Sequence, residues 1–181
     1  MTGTRLRRLE GRVRARLWSL RYRGLEAGPR AVVGRRCRLR IDRGSRIVIG
    51  ARAEIDDGTT LAAYDGGVLL LGARSFVGHT CTLAAHERVE VGESTYLAEL
   101  VSIRDHDHAV GLPPSSGVIE ISPVLIGARV WLSAKTTVVR GSRIGDDVVI
   151  GANAVVRGEL PSGVVAAGVP ARVIRELEPV E

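Results

Sequence analysis

An aliphatic residue recurs at every sixth position in the second half of this 181-residue chain. The members of this series are Ile126, Leu132, Val138, Ile144, Ile150 and Val156. A strand repeats its buried side chains with a period of 2 and a helix with a period of 3.6, so neither element alone explains a period of six. Three short strands per turn, each directing one aliphatic side chain inward, do explain it. The sequence therefore predicts an all-β fold, a parallel β-solenoid built from hexads.

The composition agrees with a narrow solenoid interior. Aromatic residues make up only 3% of the chain, whereas aliphatic residues and glycine are abundant. A chain of this length suits one domain with its own core. Because Cys37 and Cys81 both fall at the small inward position of a hexad, we expect two buried free thiols rather than a disulfide or a nucleophile.

Positive charge is concentrated in the N-terminal quarter of the chain. Residues 1–46 contain fifteen arginines and three carboxylates, which gives this segment a net charge of +12 and leaves about −6 for the remainder. No apolar run approaches the ~18 residues of a membrane-spanning helix, and no signal-peptide core follows the basic start. The sequence thus predicts a cytoplasmic protein and leaves open that it works at the inner membrane surface.

The basic segment begins with a predicted amphipathic helix. Across residues 4–25, apolar side chains recur at spacings of 3, 4, 4 and 3. They are Leu6, Leu9, Val13, Leu17 and Leu20. Two interpretations stay open: the helix covers the end of the solenoid or packs on another subunit, or it rests on anionic lipid with Trp18 at the boundary. Aromatic residues are too few among the basic ones to indicate nucleic-acid binding.

Three segments are predicted along the chain. Residues 1–30 would form the helix and a linker, residues 31–169 the solenoid, and residues 170–181 a tail with a short helix beginning at Pro170. The repeat is interrupted at residues 109–123, which hold three prolines and two glycines and so predict a loop that leaves the prism. Long loops on rigid scaffolds often carry function.

The motif Asp105-His106-Asp107-His108 ends a coil directly before this loop. An imidazole that a carboxylate holds in place is suited to act as a general base and deprotonate a hydroxyl group. The alternative interpretation is a solvated polar corner without a chemical role. The motif is therefore the first candidate for catalysis.

Three motifs follow one another in the later part of the chain. They are IleArgAspHisAspHis at 103–108, ProValLeuIleGlyAlaArgValTrpLeuSer at 123–133 and AlaGlyValProAlaArgValIle at 167–174. In this order they resemble the hexapeptide-repeat, left-handed β-helix acyltransferases, in particular the maltose, galactoside and capsular-polysaccharide O-acetyltransferases. The similar region spans residues 91–174, about half of the chain. The resemblance implies a left-handed β-helix that O-acetylates a sugar or glycan, with acetyl-CoA as cosubstrate and no metal.

The resemblance also implies roles for individual residues. His108, the last histidine of the motif, is expected to be the general base, with His106 as a neighbour that contacts the substrate or the loop. Asp105 or Asp107 would orient the imidazole unless both are solvated corner residues, and Asp107 is also a candidate substrate contact. His79 is expected on the acceptor side of the cleft, because it lies in the preceding coil.

In the family, a CoA groove runs along the later coils between neighbouring subunits of a trimer. The corresponding positions here are Trp131, Ser133, Lys135, Gly151, Ala152, Ala167, Gly168 and Arg172. Arg172 and the nearby Arg175 are placed to meet the CoA phosphates, or else belong to a solvated terminal face. Ser133 replaces the usual glycine and Lys135 a usual asparagine or small residue. These departures would either narrow the groove or supply it with a hydroxyl and a cation.

Three other functions stay open at this stage. A nucleotide-sugar N-acyltransferase would use the same chemistry on an amine, and a non-catalytic solenoid would serve as an assembly platform. A gamma-class carbonic anhydrase would bind a metal through histidines such as His79 and His86. These two histidines are seven residues apart, whereas that family's paired histidines are five apart.

Overall fold

The computed structural model describes residues 2–178, so Met1 and residues 179–181 of the predicted terminal segments lie outside it. One α-helix, α1 (Thr2–Arg21), precedes 23 strands in this part of the chain, which we number along the sequence. The strands follow one another around the three faces of a prism. The chain is a left-handed parallel β-helix, as predicted.

Each face is a sheet of parallel strands from successive coils, with one antiparallel strand added at the end of face 2. Face 1 contains β1 (Leu25–Ala27), β4 (Arg46–Ile49), β7 (Val68–Leu71), β10 (Arg88–Val91), β15 (Val124–Ile126), β18 (Arg143–Ile144) and β21 (Glu159–Leu160). Face 2 contains β2 (Val32–Val33), β5 (Glu54–Ile55), β8 (Phe76–Val77), β11 (Tyr96–Leu97), β16 (Trp131–Leu132), β19 (Val149–Ile150), β22 (Val164–Gly168) and β23 (Ala171–Glu176). Face 3 contains β3 (Arg38–Ile41), β6 (Thr60–Ala63), β9 (Thr82–Ala85), β12 (Ser102–Arg104), β17 (Thr137–Val138) and β20 (Val155–Val156).

The hexad residues form the core, as their period predicts. Leu132 pairs in register with Ile150 on face 2, and Val138 pairs with Val156 on face 3. All four side chains are at most 1% exposed. Because equivalent residues stack directly on one another, the corners between faces also stack and form three edges that run along the prism. We call them the 1–2, 2–3 and 3–1 edges after the faces that they join.

Helix α1 lies against the first coils of faces 1 and 2, and it does so through its small residues. Ala15 is buried, and a Cβ added at Gly11 would lie 3.1 Å from the carbonyl oxygen of Val33. By contrast, the five apolar side chains of the predicted leucine-rich stripe are 53–78% exposed. The helix therefore covers the first coils, in agreement with the first of the two interpretations, but it does so through its small residues, and the leucine-rich stripe faces away from the solenoid. No described helix is long and apolar enough to cross a bilayer.

The C-terminal segment differs from its prediction. In place of a short helix after Pro170, residues Ala171–Glu176 form β23, which pairs antiparallel with β22. The pairing supplies ladder hydrogen bonds to the last strand of face 2, which would otherwise have an open edge. A helix would leave that edge unpaired.

Both cysteines are free thiols, as predicted. Cys81 is 1% exposed, and its Sγ lies 3.1 Å from the carbonyl oxygen of Ala98. Burial raises the pKa of this thiol to about 11. Cys37 is only partly buried, and burial raises the pKa of its thiol as well.

Candidate active site

A β-hairpin leaves the prism at the 3–1 edge, where the sequence predicts a loop. Its two strands are β13 (His106–His108) and β14 (Ile119–Ile121), which pair antiparallel. A single 3-10 turn (Pro114–Ser116) lies near the tip. The regular backbone pairing of the hairpin holds the histidine motif in an extended conformation.

Asp105 anchors the base of this hairpin. Its carboxylate is fully buried and accepts backbone N–H groups of the neighbouring coil, from His86, Glu87 and Arg88, at 2.7–3.0 Å. It also lies 3.0 Å from His106, between Asp105 Oδ1 and His106 Nδ1. Asp105 is thus no solvated corner residue: a buried anion held by several N–H groups fixes both the hairpin and the imidazole ring.

His106 lies in a row of rings that follows the 3–1 edge. Its ring centroid is 4.4 Å from that of His86, which stacks on Tyr64 at 4.7 Å. Burial lowers the pKa of the His86 imidazole, and the neighbouring His106 lowers it further. The side chain of His106 is 18% exposed. The ring is therefore held from two sides and still reaches solvent.

His108 and Asp107, the other two residues of the motif, have different neighbours. His108 is exposed and pairs through the backbone with Ile119. Arg140 lies between the hairpin and the next coil, where its guanidinium forms an ion pair with Glu120 and lies 3.9 Å from Asp107. Among the described carboxylates, Asp105 holds His106 and none holds the ring of His108. The carboxylate contact thus belongs to His106, whereas the resemblance implies His108 as the base.

The predicted cofactor residues lie together on another edge. Ser133 and Lys135 form the corner after β16, while Gly151 and Ala152 form the equivalent corner after β19, so both corners belong to the 2–3 edge. Ala167 and Gly168 close the row in β22, and Ala167 pairs with Arg172 of β23. The structure therefore brings these positions into one continuous line.

Backbone geometry favours glycine at one position of the 2–3 edge and disfavours lysine at another. A Cβ at Gly151 would lie 2.8 Å from the Cβ of Ala167, so glycine keeps this part of the edge open. Lys135 has φ of 61° and Asn153, one coil later, has φ of 58°. Asparagine tolerates this left-handed conformation better than lysine. The left-handed conformation of Lys135 therefore carries a conformational strain that asparagine or glycine would reduce. The side chain of Lys135 is exposed at this corner.

Two aromatic residues beside Trp131 were missed by the sequence reasoning. Trp131 is 49% exposed on face 2 and lies in register with Tyr96, whose ring stacks on Phe76 at 4.6 Å. Phe76, Tyr96 and Trp131 occupy equivalent positions in successive coils. This equivalence cannot be read from the sequence until the number of residues in each corner is known. The three rings form an aromatic row on the outer side of face 2, in which Tyr96 and Trp131 are exposed and Phe76 is partly buried.

His79 does not join the histidine motif within one chain, so its place on the acceptor side of the cleft stays a prediction. It lies at the 2–3 edge, where its Nε2 is 2.9 Å from Asp56 Oδ2. Because His86 lies at the 3–1 edge, the two histidines cannot share a metal ion within one chain. No group of three metal-ligating side chains occurs among residues 2–178.

The repeat region matches a known family. The bacterial transferase hexapeptide family (six repeats) matches residues 123–158, which begin directly after the hairpin and include the two corners of the 2–3 edge. This is the part of the chain whose hexads are uninterrupted.

Similar proteins extend the likeness over most of the chain. WbbJ of Escherichia coli (strain K12), named as a lipopolysaccharide biosynthesis O-acetyl transferase, is 39% identical over 129 residues, which cover 66% of this chain and 66% of WbbJ. Rv3034c of Mycobacterium tuberculosis, named as an acetyltransferase, is 34% identical over 134 residues, which cover 72% of this chain and 44% of Rv3034c. The chain thus spans less than two thirds of the length of these relatives.

A solved structure shows the same fold. A point mutant of AntD, an N-acyltransferase from Bacillus cereus in complex with dTDP-4-amino-4,6-dideoxyglucose and coenzyme A, superposes with a TM-score of 0.75. The superposition covers 90% of this chain and 89% of AntD at 17% sequence identity. At this identity the likeness concerns the fold alone.

Proposed function

Because the chain belongs to the family of bacterial hexapeptide-repeat transferases, we propose that it is an acetyl-CoA-dependent O-acetyltransferase. It transfers the acetyl group to a hydroxyl of a sugar or glycan. The observation that carries this proposal is the contact between Asp105 and His106 at the base of the hairpin. This contact gives the family's fold an oriented imidazole at a solvent-accessible edge.

In the proposed reaction, His106 is the general base. When Nδ1–H donates to Asp105, the Nε2 atom keeps a free lone pair, which accepts the proton of the acceptor hydroxyl. The hydroxyl oxygen attacks the thioester carbonyl of acetyl-CoA, and the carbon–sulfur bond breaks. His106 then returns the proton to the leaving thiolate, so that the products are an ester and free CoA.

The preference for His108 as the base stays a prediction from the motif. What supports His106 instead is its position beside a buried carboxylate, whereas His108 lies exposed on the hairpin. In the proposal, His108 and Asp107 contact the acceptor from the hairpin. Their exposed positions allow a large glycan to approach.

Acetyl-CoA is proposed to lie along the 2–3 edge, where small residues give it access to the backbone. Ser133, Gly151 and Ala167 would let the pantetheine arm approach the chain closely. Lys135, Arg172 and the neighbouring Arg175 are exposed cations suited to the CoA phosphates. Trp131 and the rest of the aromatic row offer a flat apolar surface beside them.

The distance between the two edges supports a site shared between subunits. The whole width of face 3 lies between the 2–3 edge, with the proposed CoA groove, and the 3–1 edge, with His106. Reacting atoms must approach to about 3–3.5 Å. We therefore include a homotrimer in the proposal, in which the 2–3 edge of one copy faces the 3–1 edge of the next. His79 would then reach the acceptor cleft of a neighbouring copy.

The test is a transfer assay with sugar and glycan acceptors that carry hydroxyl groups alone or hydroxyl and amino groups. The expected product carries an acetyl group that mild alkali removes, because an ester is labile and an amide is not. An alkali-stable product would identify an N-acetyltransferase instead. The proposal places this reaction in the cytoplasm.

A further inference from the structure

The outward face of α1 is a stripe of apolar side chains, which we call the leucine stripe. Its members are Leu6, Leu9, Val13, Leu17 and Leu20, with exposed fractions of 59%, 56%, 53%, 58% and 78%. The helix packs on the solenoid through its opposite face, which includes Gly11 and Ala15. The leucine stripe is therefore not needed for folding of the single chain. A contiguous exposed apolar surface of this kind usually marks an interaction site.

The arginines of α1 divide into two groups according to the side of the helix on which they lie. Arg7 forms ion pairs with Asp56 and Asp57, Arg8 pairs with Glu54, and Arg14 donates to the carbonyl oxygen of Val33. All three lie on the side toward the solenoid. Their charges are used within the fold.

The other four arginines are exposed, and the described residues offer them no ion pair. At about 100° per residue, Arg5, Arg12 and Arg16 border one side of the leucine stripe, and Arg21 borders the other. The only carboxylate of the helix, Glu10, is bound by Arg35. The stripe is thus an apolar surface with three arginines along one side, while Arg21 lies beyond the paired Glu10 on the other.

A depression next to α1 extends this positive margin onto the solenoid. Its volume is about 250 Å³, and Arg8, Arg12, Arg30 and Arg52 line it together with Val32 and Glu54. Arg30 and Arg52 belong to stacked corners of the 1–2 edge and are exposed. Because Arg8 pairs with Glu54, the guanidinium groups of Arg12, Arg30 and Arg52 supply the net positive charge of the depression, which suits a phosphate group.

We propose that α1 binds the surface of a bilayer that contains anionic phospholipids, with the leucine stripe in the acyl-chain boundary and the four marginal arginines at the headgroups. An interfacial helix needs this combination of an apolar face and flanking cations. Anionic headgroups complement the three arginines along one side of the stripe and Arg21 at its end. Two copies of the stripe packed face to face would instead bring eight unpaired arginines together. This proposal does not depend on the proposed function.

The test is cosedimentation of the full chain with vesicles of phosphatidylcholine alone and with 30% phosphatidylglycerol, at low and high salt. We expect binding only to the anionic vesicles, weakened by salt. The double variant Arg12→Gln/Arg16→Gln should weaken binding by about fivefold for each charge removed. The matched variant Arg143→Gln/Arg157→Gln removes the same charge from later coils and should bind as the wild type does.

The variant Leu9→Gln/Val13→Gln/Leu17→Gln tests the apolar part and should lose vesicle binding with an unchanged melting temperature, since these side chains are exposed. Its molar mass in solution, measured by light scattering, should also equal that of the wild type. If the mass falls instead, the stripe packs against another copy and the proposal is wrong. Absence of wild-type binding to anionic vesicles, or full binding by both variants of α1, would overturn it as well.

Discussion

Asp105 Oδ1 lies 3.0 Å from His106 Nδ1, while the same buried carboxylate accepts three backbone N–H groups of the preceding coil. The contact joins the rigid stack of coils to an imidazole, the group that the proposed catalysis needs. Because the carboxylate cannot turn without losing several hydrogen bonds, the ring orientation is set before any substrate arrives.

The first prediction separates the two histidines of the motif. His106→Ala should reduce kcat by about 10²–10⁴-fold, the usual contribution of a general base. The KM for acetyl-CoA should stay within a few-fold, because the proposed CoA groove lies on another edge. His108→Ala is the matched control, and steady-state kinetics should show a changed KM for the acceptor with most of kcat retained. The reverse pattern would establish His108 as the base.

The second prediction concerns the acid side of the stability profile. Burial, followed by the charge of His106, lowers the pKa of His86 from its ordinary value of 6.5. Below about pH 6.5 the unfolded chain therefore binds more protons than the folded one, so stability falls as the pH drops from there through the folded pKa.

His86→Phe keeps a ring against Tyr64 and removes this titration. Urea unfolding at a series of pH values from 7.5 to 5 should show a smaller loss of stability in the variant than in the wild type. Parallel profiles would mean that another group causes the acid loss.

The third prediction uses Lys135, which is exposed and has φ of 61°. Lys135→Gly should raise the free energy of unfolding by about 0.5–1 kcal/mol, because glycine adopts this conformation without strain. The same change should raise the KM for acetyl-CoA several-fold, because the cation is lost from the groove.

Asn153→Gly is the control for Lys135→Gly, since it changes the equivalent corner of the next coil without removing a charge. It should leave the KM for acetyl-CoA unchanged. An unchanged KM in both variants would remove Lys135 from the proposed groove.

The hexads made the solenoid predictable because each short strand directs one aliphatic side chain into the core. The six-residue period identifies Leu132 and Ile150 as inward-facing residues without any knowledge of which coils are neighbours. The period was therefore enough to predict the core. The spacing of the α1 leucines likewise predicted an apolar stripe. It could not say which side packs, because that depends on the close approach that Gly11 and Ala15 allow.

The sequence could not predict contacts between residues that are distant along the chain. Ala171–Glu176 forms a strand because β22 offers it a partner, and no local pattern reports that partner. The role of Asp105 depends on N–H groups about eighteen residues earlier, brought near by the stacking of coils. For the same reason the sequence could not show that His79 and the histidine motif lie on different edges of the prism.

The most direct measurement is complementation between two inactive variants. His106→Ala removes the proposed base at the 3–1 edge, and Ala152→Trp fills the groove at the 2–3 edge with an exposed bulky side chain. Each variant alone should be inactive. Coexpressed, they should form mixed oligomers that regain transfer activity, because some sites then combine an intact histidine with an intact groove. If mixed oligomers form and stay as inactive as the separate variants, the site does not lie between subunits.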